Sequence, residues 1–130
     1  MKINMKTLYF NTRDELTKVD LNYVVYFEAE ANYTHIVFSN GIKAMLLISL
    51  THIEELIHDK LKEIKQPFIR IGKKYIVNSS YIFQINLPKQ KLILTDFSHP
   101  GFYSLSISKE ALKNIKNLYK TKVNDGNNHR

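Results

Sequence analysis

Arg70, Lys73 and Lys74 fall within five residues, in a turn bracketed by two apolar runs at 68–71 and 75–77. A basic hairpin tip on an apolar base suits gripping a polyanion, although lysines that merely keep a sheet edge soluble give the same pattern. Charge along the chain bears on that choice. Residues 1–58 carry 5 Lys/Arg against 7 Asp/Glu, whereas residues 59–130 carry 14 against 5, and the whole chain is +7. A basic half on a small protein is the footprint of nucleic-acid binding, because each neutralised phosphate releases condensed counterions. An anionic membrane surface would attract the same charge.

Catalytic patterns are scarce. His52 and His58 sit six apart on a helical stretch, on opposed faces, so they cannot share a metal. Ser106 and Lys109 match the loose Ser-x-x-Lys pattern of some acyl-transfer enzymes, but the partner motifs are missing. Glu28 and Glu30 project to one side of a strand, yet no third acid or cleft accompanies them, and solvated edge residues explain them. The 4 glycines fall at turns and form no phosphate loop, and the absence of cysteine removes disulfides, thiolate zinc sites and a cysteine nucleophile. Neither an enzyme nor a cofactor is expected.

These residues must be positioned by a domain built from 130 residues, 44% of them hydrophobic and 12% aromatic, which is enough for one ordinary core. No apolar run approaches the roughly 20 residues that span a bilayer, and residues 1–11 alternate instead of forming a signal-peptide core. A cytoplasmic location is expected. Residues 22–27 and 34–38 are rich in Val, Ile, Tyr and Phe and read as strands. Asn40-Gly41 tolerates the positive φ of a tight turn, so 42–48 should return antiparallel to 34–38. Ile53, Leu56, Ile57, Leu61 and Ile64 recur at helical spacing and predict an amphipathic helix over 49–64. Thr51 with Glu54 would make a capping box; Ser49 as the cap places Ile48 and Ile53 for a hydrophobic staple and is favoured.

After Pro67, strands are expected at 68–71 with 75–77, at 81–85 with 92–95, and at 102–107. Ser108 can cap a last helix over 109–120, with Leu112, Ile115 and Tyr119 on one face and Lys113, Lys116 and Lys120 on another. Residues 121–130 lack an apolar anchor and should form a disordered tail behind a domain at 1–120.

The order of these blocks resembles the LytTR DNA-binding domains found at the C-termini of bacterial response regulators. The resemblance spans roughly residues 6–119 and rests on Tyr26-Phe27-Glu28-Ala29 followed by Asn32-Tyr33, on Ser49-Leu50 opening a helix, on Phe68-Ile69-Arg70-Ile71 leading to Tyr75-Ile76-Val77-Asn78, and on Ile107-Ser108-Lys109 opening the last helix. It implies a mainly β fold, an elongated stack of antiparallel sheets, that grips duplex DNA with loops and takes part in two-component signalling. By this resemblance Asn32, Tyr33 and Thr34 lie on a first DNA-facing loop, the hairpin tip around Arg70, Lys73 and Lys74 is a second, and Ser108 with Lys109 begins a third. The family usually has a histidine and a serine where this chain has Gly72 and Lys74, a departure that favours phosphate grip over base reading at that loop.

The reading is a sequence-specific, metal-free DNA-binding regulator of transcription with no enzymatic activity, two copies sitting on a direct repeat, and no membrane partner. With no receiver on it, this chain is either free-standing or a fragment; if it is free-standing, expression level, a small ligand or a partner protein covering the basic loops would control it. Two other classes remain. The 8 tyrosines and 7 phenylalanines could stack single-stranded RNA, although most lie in apolar runs that look like core. A domain docking on an acidic partner protein would need no nucleic acid.

Overall fold

A computed structural model describes residues 6–62 and 67–122. Its strands are β1 (Thr7–Asn11), β2 (Leu16–Asp20), β3 (Val24–Glu30), β4 (Tyr33–Phe38), β5 (Lys43–Leu46), β6 (Phe68–Ile71), β7 (Tyr75–Asn78), β8 (Ile82–Asn86), β9 (Lys91–Leu94) and β10 (Tyr103–Ser106), with helices α1 (Leu50–Leu61) and α2 (Lys109–Asn117). Three antiparallel sheets result: a β1-β2 hairpin, a five-stranded sheet ordered β5-β4-β3-β7-β6, and a three-stranded sheet ordered β10-β9-β8. The mainly β, stacked-sheet expectation holds.

The five-stranded sheet is covered on both faces. Leu8, Phe10, Val19, Phe27, Ile36, Ile53, Ile57 and Leu61 belong to one core, which joins the β1-β2 hairpin and α1 to the sheet. Val25, Tyr26, Val77, Leu92, Leu94, Leu105, Leu112 and Ile115 form the other, beneath the three-stranded sheet and α2. Strand β3 feeds both, and its apolar run is continuous because neither face meets water. Val24 and Phe27 join one core while Val25 and Tyr26 join the other, which strict alternation forbids. The register shift between Val24 and Tyr26 against β4 is a bulge that re-phases the strand.

Local chemistry sets the element ends. The Ser49 side chain accepts from the His52 amide at 3.1 Å, so Ser49 caps α1, and Ile48 packs on the same core as Ile53. Phe38 N donates to Ile42 O at 2.9 Å across the turn in which Gly41 has φ +89, the tight hairpin expected from Asn40-Gly41. Strand β3 starts two residues later than the expected 22, because Leu21–Tyr23 is a short 3-10 turn capped by the Asp20 side chain. The β1-β2 hairpin was not anticipated: its turn closes by Thr12 N and Thr12 Oγ1 donating to Glu15 O at 2.8 and 3.3 Å, with no glycine or proline to mark it. Helix α2 ends at Asn117, three residues short of the expected 120, and turns follow. Glu63 and Ile64 of the first expected helix, and the expected tail from 123 onward, lie outside the described residues.

Tyr26 stands at the centre of the second core, with Tyr75 and Tyr103 edge-on at 6.0 and 5.7 Å. Burial, and then the nearby Glu28 carboxylate, push its hydroxyl up to about 12. Tyr75 and Tyr81 are also raised, chiefly by burial. A phenol raised in the folded state favours the protonated native form. Its contribution is therefore whole below the unfolded value of 10.0 and is lost as pH climbs toward about 12. Melting temperature should accordingly fall across that window, and less steeply in Tyr26→Phe, as calorimetry at stepped pH will read.

Candidate nucleic-acid interface

The β6-β7 hairpin carries the basic tip. Gly72 adopts φ +60 at its turn, a left-handed conformation in which glycine has no steric penalty. Arg70 does not reach outward from it. Its Nε donates to Gly72 O at 2.7 Å, and its Nη1 donates to Glu54 Oε1 at 2.7 Å and Thr51 Oγ1 at 3.4 Å. With both groups engaged and the side chain only 23% exposed, Arg70 braces the turn against the first turns of α1. This corrects its expected place among the outward cations. Lys73 is exposed and forms no ion pair among the described residues. Lys74 Nζ lies 3.4 Å from Glu28 Oε2 and 5.5 Å from the Tyr75 ring centroid. Tyr75 first, then Glu28, raise its pKa, so Lys74 is charged at any neutral pH.

The β3-β4 turn lies beside that tip. Glu30 pairs with Tyr33 across a two-residue turn, Ala31 and Asn32, in which Ala31 has φ +53. Glu28 pairs with Tyr75 between β3 and β7, and Ala29 N donates to Lys74 O at 2.8 Å, so the ladder runs out to the point where both turns begin. Asn32 is exposed and Tyr33 is 41% exposed. Thr34 points the other way: it is fully buried, and its Oγ1 donates to Ile48 O at 2.7 Å. Thr34 is therefore corrected from an expected DNA contact to a structural tie between β4 and the chain entering α1. Thr34→Val keeps shape but orphans the Ile48 carbonyl. It should cost about 1–3 kcal/mol in denaturant unfolding while leaving DNA affinity of the folded protein unchanged.

Glu28 and Glu30 also differ from expectation. They stand on a central strand instead of an edge, and each meets a base: Glu28 meets Lys74, and Glu30 meets His35 Nε2.

The third expected loop opens α2. Ser108 Oγ accepts from Ala111 N at 3.2 Å and caps the helix, and Lys109 is exposed beside it. Ile107, just before the cap, shares a core with Ile71 and Tyr75, which flank the basic tip. The helix start and the tip are thus built on one body of packed side chains.

A family model for the LytTr DNA-binding domain matches residues 14–120. The chain belongs to that family. Among solved structures it is similar to the LytTr DNA-binding domain of a putative methyl-accepting/DNA response regulator from Bacillus cereus, at a TM-score of 0.60 and 22% identity, covering 87% of this chain and 95% of that one. At that identity the likeness shows the LytTr fold. No curated protein matches the sequence.

For a LytTr domain, the surfaces of this chain differ sharply in charge. The outer face of α1 presents Glu55 and Asp59, which a phosphate backbone repels, beside Glu54, whose charge Arg70 offsets. Two lysines near the α2 start escaped the sequence reading. Lys91 Nζ donates to Ser106 Oγ at 2.8 Å, and Lys89 sits in the β8-β9 turn whose Gln90 O accepts from Ile107 N at 3.0 Å. The spacing Lys89-x-Lys91 in a turn containing Pro88 was the available signal. Among the described residues no group of three or more metal-ligating side chains assembles, and no helix is long and apolar enough to cross a membrane.

Proposed function

We propose that this LytTr domain is the DNA-binding output module of a transcription regulator, reading duplex DNA sequence-specifically with loops instead of a helix laid in the groove. Membership of the LytTr family carries the DNA-binding part. The adjacency of Asn32 and Tyr33 to Lys73 and Lys74, fixed by the Ala29–Lys74 backbone bond, supports the loop part. Lys73 and Lys74 grip phosphates, Asn32 offers an amide to a base edge with Tyr33 packed beside it, and Lys109 at the capped start of α2 meets a phosphate or a guanine edge. Ser108 contributes through the helix cap, which aims the first free amides outward. Laying α1 itself in the groove is disfavoured by Glu55 and Asp59 on its outer face. Two copies occupy a direct repeat, and a partner protein that covers the basic loops controls access.

Selection of bound duplexes from a random pool tests this reading. A recovered motif, repeated in tandem, is the expected outcome. A pool that stays random, or protein that heparin or single-stranded RNA strips from duplex as readily as unlabelled duplex does, counts against it.

A further inference from the structure

The two ends of the stacked sheets differ in charge. One end is tied by three bonds: Asn78 Nδ2 donates to Val24 O at 2.9 Å, Tyr81 Oη to Asn22 O at 2.6 Å, and Tyr103 Oη to Phe38 O at 3.2 Å. There β3 begins, β4 and β7 end, and β8 and β10 set out. Strand β9 returns to the same end, where Thr95 N donates to Tyr81 O at 2.9 Å. The segments gathered there, 20–23, 39–42, 79–81 and 95–102, carry Asp20 and Asp96 and no Lys or Arg, with Lys43 adjoining them.

Strands that leave this end arrive at the other. The β3-β4 turn and the basic tip lie there, and so do the β8-β9 turn and the start of α2, where Leu87 and Ile107 pack on the core that holds Ile71 and Tyr75. Segments 31–32, 72–74, 87–91 and 107–109 carry Lys73, Lys74, Lys89, Lys91 and Lys109 and no Asp or Glu. Of the acids nearby, Glu28 and Glu30 already face Lys74 and His35, and Glu110 lies in the first turn of α2. A chain with one cationic end turns that end toward a duplex.

The β8-β9 turn is built to hold its lysines at that end. Gln90 adopts φ +52, a conformation that is costly away from glycine and persists only where neighbours enforce it. Three bonds do so: Lys89 N donates to Asn86 Oδ1 at 3.0 Å, Gln90 N to Leu87 O at 3.1 Å, and Ile107 N to Gln90 O at 3.0 Å. Lys91 is paired with Ser106 across the ladder, and its Nζ donates one proton to Ser106 Oγ at 2.8 Å, leaving two for another acceptor. Lys89 is exposed, and among the described residues neither lysine has a carboxylate partner.

We propose that the β8-β9 turn is a further contact to duplex DNA, with Lys89 and Lys91 holding phosphates beside those reached by Lys73, Lys74 and Lys109. The inference rests on the DNA-binding reading and widens its interface. Phosphates carry no sequence, so the turn strengthens binding to every duplex and leaves the choice among them to other residues.

The test titrates the full chain into duplex of random sequence by fluorescence anisotropy across a salt series. Lys89→Ala with Lys91→Ala is expected to lower the salt slope by about two units and affinity by roughly tenfold or more at about 100 mM salt. Lys113→Ala with Lys116→Ala removes the same charge from α2 and is expected to keep the wild-type slope. Because the chain has no cysteine, Lys89→Cys accepts a photo-crosslinker at that position alone. Duplex should become attached there and not through Lys113→Cys. An unchanged slope in the Lys89-Lys91 variant, an equal drop in the Lys113-Lys116 variant, or crosslinking no greater at 89 than at 113 overturns the proposal. Those results in a wild type that still binds duplex steeply with salt leave the DNA-binding reading standing, whereas a wild type that ignores duplex overturns both.

Discussion

Duplex affinity is expected to fall about 10³-fold or more as salt rises from about 50 to about 200 mM, if about six phosphates are engaged. The contacts proposed for this LytTr domain are lysine ammonium groups and a helix start, all on the surface, where each phosphate contact releases a counterion. Lys73 and Lys109 are exposed, and Lys74, though near Glu28, keeps its side chain 60% exposed. Little desolvation offsets the electrostatic gain, so the salt slope should approach its full value per contact. Fluorescence anisotropy across a salt series reads the slope directly. A flat response, or binding abolished by a chelator, contradicts direct metal-free contact.

Replacing Lys73 and Lys74 together with alanine is expected to weaken binding to every duplex and to reduce the salt slope by about two units, roughly one per phosphate lost. Stability should change little, because both side chains are solvent-exposed and exposed ion pairs such as Lys74–Glu28 contribute little. Lys113→Ala with Lys116→Ala, at the far side of α2 from its cap, should leave single-site affinity nearly unchanged. Lys109→Ala should cost roughly 1–3 kcal/mol on the preferred site and much less on scrambled DNA. Dominance of Lys113 and Lys116 with a silent Lys73-Lys74 pair would show that the domain does not dock by its loops.

What could be read from the sequence was local. Asn40-Gly41 at a tight turn, Ser49 and Ser108 as helix caps, and the Gly72 turn each depend on residues within one turn of themselves. What was missed depends on distance along the chain. Arg70 looked like a free cation because its partners Thr51 and Glu54 are 19 and 16 residues away. Thr34 is a middle case. Period-two alternation with Ile36, which is fully buried, places its hydroxyl inward, but its acceptor is the Ile48 carbonyl beyond the next strand. Phe83, inside the strand expected at 81–85, was hidden for another reason: a bulge between the pairs Ile82–Leu94 and Gln84–Ile93 leaves it 57% exposed.

The turn at Gly72 has an evolutionary consequence. A side chain added there meets nothing within 4 Å, and Lys73 and Lys74 project from the same turn outside both cores. Substitution at 73 and 74 is therefore nearly free of folding cost, and at 72 it is limited only by the positive φ, which asparagine and histidine accept better than most residues. Because Arg70 clamps the turn to α1 through backbone and side-chain bonds that involve none of these three side chains, the tip can exchange residues while its aim stays constant. On the proposed docking, exchanges at 72–74 would alter how strongly the tip holds a phosphate, with selection on stability indifferent to the change.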